Sequence, residues 1–240
     1  MLHNMDTTAR RELYAHPGSW NDPDMLFIGT GDFDSAHMTE ARSHFSMWAM
    51  LNAPLIIGFD LRKASAEQLA ILGNSAIIAL NQDPGGHQAV LAYDSNDLQI
   101  YVKTLANGDK GVAILNRTSA PIEADLTAAH MKLATDAQVR MTDLWSGKTV
   151  QFVGETKLPV GPRETLVYRV SGQRMMPNGY YLSELPGNVY PAVDGVTTRQ
   201  LDPMIHRGLG PWTGTRGGGN RRATPAGAAL ARIARHGVRS

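Results

Sequence analysis

Two periods divide the chain. Over residues 1–87 apolar positions recur at helical spacing, broken by one short run that is apolar throughout. Leu2 to Leu13 reads as a helix. In the next, Ala41, Phe45, Trp48 and Ala49 share one face, with Thr39 placed to cap its start and Pro54 to end it. Leu55-Ile56-Ile57-Gly58-Phe59 then predicts a parallel strand buried on both faces. Ser65 and Gln68 form a capping-box pattern ahead of Leu69 and Leu72, and Gly73 suits the far end. A further helical piece, Ser75 to Leu80, leads into the turn Asp83-Pro84-Gly85-Gly86. The predicted order is strand, helix, strand, helix.

From about Gln88 the period becomes two. Leu98, Ile100 and Val102 alternate with Gln99, Tyr101 and Lys103, and Asn107-Gly108 makes a turn before Val112 to Leu115. Ile122, Ala124 and Leu126 alternate with Glu123 and Asp125. Val139 to Met141, a Ser146-Gly147 turn, Val150 to Phe152 and Leu166 to Val170 continue the series. Short strands separated by turn signals predict an antiparallel β-sandwich. Beyond Gly172, Tyr180-Tyr181-Leu182 and Val189-Tyr190 could open another β module, but no full set of strands follows.

Composition sharpens this picture in four ways. With 42% hydrophobic and 19% charged residues, the 240-residue chain can build real cores. No apolar run reaches the roughly 18 residues of a membrane span, and the start lacks the apolar core of a secretory signal. The absence of cysteine excludes disulfides, thiolate metal sites and a Cys nucleophile. The net charge of +1 is unevenly placed: Arg207 to Ser240 carries seven arginines and no acid. That Gly- and Arg-rich end is expected to be a disordered, low-complexity tail rather than a nucleic-acid-binding element, since no aromatic or folded platform accompanies the charge.

The stretch richest in chemistry is Ser19-Trp20-Asn21-Asp22-Pro23-Asp24-Met25-Leu26. Retaining glycoside hydrolysis needs two carboxyl groups about 5–5.5 Å apart on opposite sides of the scissile bond. Residues i and i+2 of an extended segment stand about 6.6 Å apart and point the same way. Asp22 and Asp24 therefore cannot flank a sugar between them, and spacing alone favours a hydrogen-bonded turn.

The stretch nevertheless resembles a loop of the melibiase-type α-galactosidases, a retaining glycoside hydrolase family (family 27). The resemblance continues through Ala49-Met50-Leu51-Asn52-Ala53-Pro54-Leu55-Ile56, Asp60-Leu61-Arg62 and Ile78-Ala79-Leu80-Asn81-Gln82-Asp83-Pro84, and extends to about Gly172. It implies α/β plus all-β architecture: the last two βα units of a (β/α)8 barrel over 1–87, with the quoted loop following a barrel strand at its C-terminal face. A β-sandwich over 88–172, a connector over 173–206 and the tail over 207–240 would follow. It also implies that Asp24 and Met25 line a galactose pocket, with Trp20, Asn21 and Asp22 supporting the loop and Trp20 packing beneath it.

The nucleophile of that family lies in a Lys-Tyr-Asp context and the acid/base in an Arg-x-x-x-Asp loop. Neither occurs here; Tyr93-Asp94 is the nearest echo, with Ala92 in place of the lysine. The expectation is thus a truncated C-terminal portion without its own catalytic acids, inactive alone and acting on α-galactosides only when completed. Non-catalytic sugar binding or protein interaction through the sandwich is the competing reading. The resemblance implies a periplasmic or secreted intact relative. No cofactor, metal site, membrane or nucleic-acid partner is expected, because the histidines lack ligand spacing and read as surface or loop residues. Asn116-Arg117-Thr118 matches a glycosylation acceptor pattern.

Overall fold

In the computed structural model, residues 1–171 are described, together with the backbone of three short strands beyond them. The residues expected to form the tail, 207–240, lie outside the described residues, as does most of the connector. Helix α1 (Leu2–Ala9) is followed by the acidic loop, then α2 (Met38–Met50), α3 (Ala66–Leu72) and α4 (Ser75–Asn81). The capping box at Ser65 and Gln68 forms in full, and Asn74 caps α4 through Ala76 and Ile77.

The boundaries of α2 differ from expectation at both ends. Its N-cap is His37, and Thr39 lies inside the first turn. The Asp34 carboxylate accepts from the Ala36 N–H and pairs with the His37 ring, so a turn around Asp34 launches the helix early. The helix stops before Pro54 because buried Asn52 takes a left-handed conformation (φ 56°), which Asn tolerates better than most residues.

The apolar run at 55–59 does not become a doubly buried strand. One parallel bridge joins Leu26 to Ile57, with Leu26 N–H donating to Ile56 C=O at 2.7 Å and Gly58 N–H to Leu26 C=O at 2.9 Å. Ile56 stays 53% and Ile57 38% exposed, since among the described residues nothing covers their outer side. This segment and its helices are the partial barrel.

Seven of the eight sandwich strands are β1 (Val90–Asp94), β2 (Leu98–Thr104), β3 (Lys110–Asn116), β4 (Ile122–Thr127), β5 (Gln138–Asp143), β6 (Thr149–Val153) and β7 (Glu155–Val160). The eighth is β8 (Thr165–Ser171). One antiparallel sheet runs β1-β2-β3-β8-β5-β6, and β4 pairs with β7 across from it. β1 departs from alternation, because a bulge between Leu91 and Tyr93 breaks its period. β7 alternates throughout and carries Pro159 on its exposed face opposite Glu123, in a strand paired with β4. Beyond Gly172, β9 (Gln173–Met175), β10 (Tyr181–Ser183) and β11 (Val189–Tyr190) pair as an antiparallel meander.

Two cores result. Ile100, Val112, Ile114, Val139 and Val170 pack against Leu126, Met131 and Val160 inside the sandwich. The opposite face of the six-stranded sheet, through Tyr101, Ala113, Leu115 and Val167, packs on α2. Lys103 crosses this second boundary. Its side chain is fully buried and its ammonium group donates to Leu80 C=O, Asn52 Oδ1 and Ala49 C=O, gathering the ends of α2 and α4. Helix C-termini carry partial negative charge, which suits a cation there. Arg117 adds a second tie, a two-pronged ion pair to Asp6 of α1 at 2.6 and 2.9 Å.

Candidate sugar-facing site

The acidic loop is held from several directions. Asn21 Nδ2 donates to Arg11 C=O at 2.7 Å and to Gln88 Oε1 at 2.9 Å, while buried Gln88 donates to Thr8 C=O. Asn4 Nδ2 donates to Pro23 C=O at 3.0 Å, fixing the buried proline to α1. The Asp22 carboxylate accepts from the Asp24 N–H at 2.9 Å, a local side-chain turn. Asp22 thus faces its own loop and does not oppose Asp24.

Asp24 is exposed and has φ 86°, a region L residues enter at a cost. Its Oδ1 accepts from the Met25 N–H at 2.7 Å, and its carbonyl accepts from Trp48 Nε1 at 2.6 Å. Met25, 41% exposed, lies over Gly58; a Cβ there would meet Met25 Cβ at 2.9 Å and its Sδ at 3.4 Å. Glycine at 58 is therefore what lets the two segments approach. Asp24 and Met25 immediately precede the paired residue Leu26, so the acidic loop enters the parallel pairing rather than following it.

Two tryptophans divide the roles at this loop. Trp20 stays 42% exposed with its ring edge against Gly86, in the turn leading to the sandwich. The indole beneath the loop is Trp48, buried in α2. The helical period places Trp48 on a core face and so predicts its burial, but not the bond its N–H makes.

His44 corrects the expectation that the histidines are surface or loop residues. It is buried in α2, tilted against Phe33 with centroids 4.6 Å apart and edge-on to Trp48 at 4.1 Å. Neither ring nitrogen finds a partner, and burial pushes its pKa down to about 3, so the ring is neutral. Asp94, the echo of a nucleophile context, lies in β1 and pairs with Arg10 at 2.5 Å. Asn116 of the glycosylation pattern is fully buried, its amide donating to Ala120, Val160 and Gly161 carbonyls, and is inaccessible to modification in the folded chain. No group of three or more His, Asp or Glu side chains suited to a metal occurs among the described residues.

Comparison with known proteins matches both parts of this architecture. Residues 4–83 fit the family described as alpha galactosidase A, and residues 95–170 fit the alpha galactosidase C-terminal beta sandwich domain. An α-galactosidase of Oryza sativa subsp. japonica is 38% identical over 170 residues, covering 70% of this chain and 40% of the relative. α-Galactosidase A of Aspergillus niger is 35% identical over 193 residues, 78% of this chain and 35% of the relative. The crystal structure of α-galactosidase I from Mortierella vinacea superposes with a TM-score of 0.66 at 26% identity, covering 70% of this chain and 44% of that one. The chain thus spans less than half the length of these relatives. A helix-flanked acidic loop, a partial barrel and an antiparallel sandwich, matched in that order, place the chain in the melibiase-type α-galactosidase family of glycoside hydrolases.

Proposed function

We propose that this chain supplies one wall of the galactose pocket of a retaining α-galactosidase and does not hydrolyse α-galactosides by itself. The observation that carries this is the presentation of Asp24 and Met25: adjacent, exposed, and held from below by a buried helix. Asp24 Oδ1 is occupied by the Met25 N–H, which leaves the second carboxylate oxygen to accept a sugar hydroxyl. Met25 offers an adaptable apolar surface to the ring.

Hydrolysis with retention requires two opposed carboxyl groups. Asp22 is turned into the loop and Asp94 is paired with Arg10, so neither stands against Asp24. In this reading nucleophile and acid/base come from polypeptide outside the described residues, and α-galactosides are the substrates of the completed protein. The exposed Phe27, Ile56 and Ile57 around the parallel bridge fit packing against further barrel strands. The test is hydrolysis of p-nitrophenyl α-galactoside by the purified chain. No release of p-nitrophenol is expected, with galactose titration altering tryptophan fluorescence; measurable turnover by the chain alone would refute the proposal.

A further inference from the structure

We infer that Trp48 is a positioning residue for the sugar-facing edge: its indole N–H, delivered from the rigid core of α2, holds the Asp24 peptide in its left-handed conformation. This rests on reading Asp24 and Met25 as the pocket wall. Asp24 at φ 86° would relax toward an ordinary conformation unless something opposed it. Three hydrogen bonds converge there. Two, Asp24 N–H to Asp22 Oδ1 and Met25 N–H to Asp24 Oδ1, are internal to the loop and move with it. The third, Trp48 Nε1 to Asp24 C=O at 2.6 Å, is the one that fastens residue 24 to the helix.

The donor is itself well fixed. Trp48 is 1% exposed, so its ring cannot reorient without opening the core. His44, one turn earlier, packs against it in a T-shaped arrangement with ring centroids 4.1 Å apart, and Phe33 braces His44 in turn with centroids 4.6 Å apart. With neither ring nitrogen hydrogen-bonded, the imidazole acts through packing alone and limits the angle of the indole. Releasing the Asp24 carbonyl would let that peptide rotate. The carboxylate would then swing and Met25 would leave its seat over Gly58. Sequence spacing cannot show this, because residues 24 and 48 lie in different elements.

The experiment replaces Trp48 in the full chain by 3-benzothienylalanine, which keeps the ring shape and puts sulfur where the N–H was, alongside Trp48→Phe. Amide exchange at Asp24 and Met25 is followed together with galactose titration. Loss of one hydrogen bond holding a strained peptide predicts about tenfold faster exchange at Met25 and about tenfold weaker galactose binding in both variants. Exchange at Ile114 and Val167 in the sheet should stay unchanged. Wild-type exchange at Asp24 and Met25 in the benzothienylalanine protein would overturn the inference, since a purely packing role is preserved there. If the unmodified chain shows no galactose binding, the pocket reading fails, and the exchange measurement still decides whether Trp48 positions the peptide.

Discussion

Replacing Gly58 by alanine adds a single methyl group at the closest approach of the two barrel segments. An ideal Cβ at that position lies 2.9 Å from Met25 Cβ, 3.3 Å from Leu26 C=O and 3.4 Å from Met25 Sδ. Carbon atoms in contact prefer about 3.5–4.0 Å, so the first of these is deep in the repulsive range. The neighbour is a β-carbon set by the backbone, and no rotamer change of Met25 relieves it. Two effects compete. Alanine lowers the entropy of the unfolded chain and stabilises by about 0.4–1 kcal/mol where its backbone angles are allowed. Overpacking of this severity costs about 1–3 kcal/mol. Overpacking wins, and Gly58→Ala should be less stable by about 1–2 kcal/mol, read as a lower urea midpoint with an unchanged slope. The Met25 methyl resonance should shift and galactose binding weaken. Met25→Ala keeps the offending β-carbon and should not rescue the variant, whereas Met25→Gly should. A Gly58→Ala protein at least as stable as wild type, with the Met25 methyl unmoved, would show that the close approach does not exist in solution.

Other consequences follow from buried polar groups. Asn116→Ala removes the donor shared by three carbonyls and the acceptor used by the Thr118 N–H and hydroxyl, and should cost about 2–4 kcal/mol in urea unfolding; a loss below about 1 kcal/mol would contradict that network. Burial lowers the Lys103 pKa from 10.5 to about 7, partly opposed by Asp83, so between those values the unfolded chain holds a proton the folded chain has released. Stability should therefore rise with pH across that window, by up to about 1.4 kcal/mol per pH unit from this group. Lys103→Met should flatten the rise, and an unaltered pH profile would refute the assignment. His44 acts in the same sense at lower pH. Its folded pKa of about 3 lies below the ordinary 6.5, so its contribution is full above 6.5 and is lost as the pH falls toward 3. His44→Phe should reduce that acid sensitivity in a thermal melt series.

Much of the fold was legible because local signals and tertiary demands agree. Ser65 and Gln68 close the predicted capping box. The alternation at Leu98, Ile100 and Val102 became β2, with Ile100 and Val102 facing the sandwich core and Tyr101 and Lys103 facing the helices. That second burial explains why β2 is covered on both faces although its sequence alternates as if half were wet. Where reading failed, the competing influence is identifiable. A bulge hid β1 and Pro159 hid β7. Asn52 in a left-handed conformation ended α2 ahead of Pro54, and an Asp34-centred turn displaced the cap from Thr39.

The helices after the acidic loop, the antiparallel sandwich and the family motifs were determined by the sequence, because period, capping and turn chemistry act over a few residues. The placement of groups distant along the chain was decided only in three dimensions. Trp48 donates to the Asp24 carbonyl, Lys103 gathers two helix ends, and Asn116 of the glycosylation pattern turns inward. A hydrogen bond between residues 24 and 48 depends on how a helix seats against a loop, and packing, not local propensity, sets that distance.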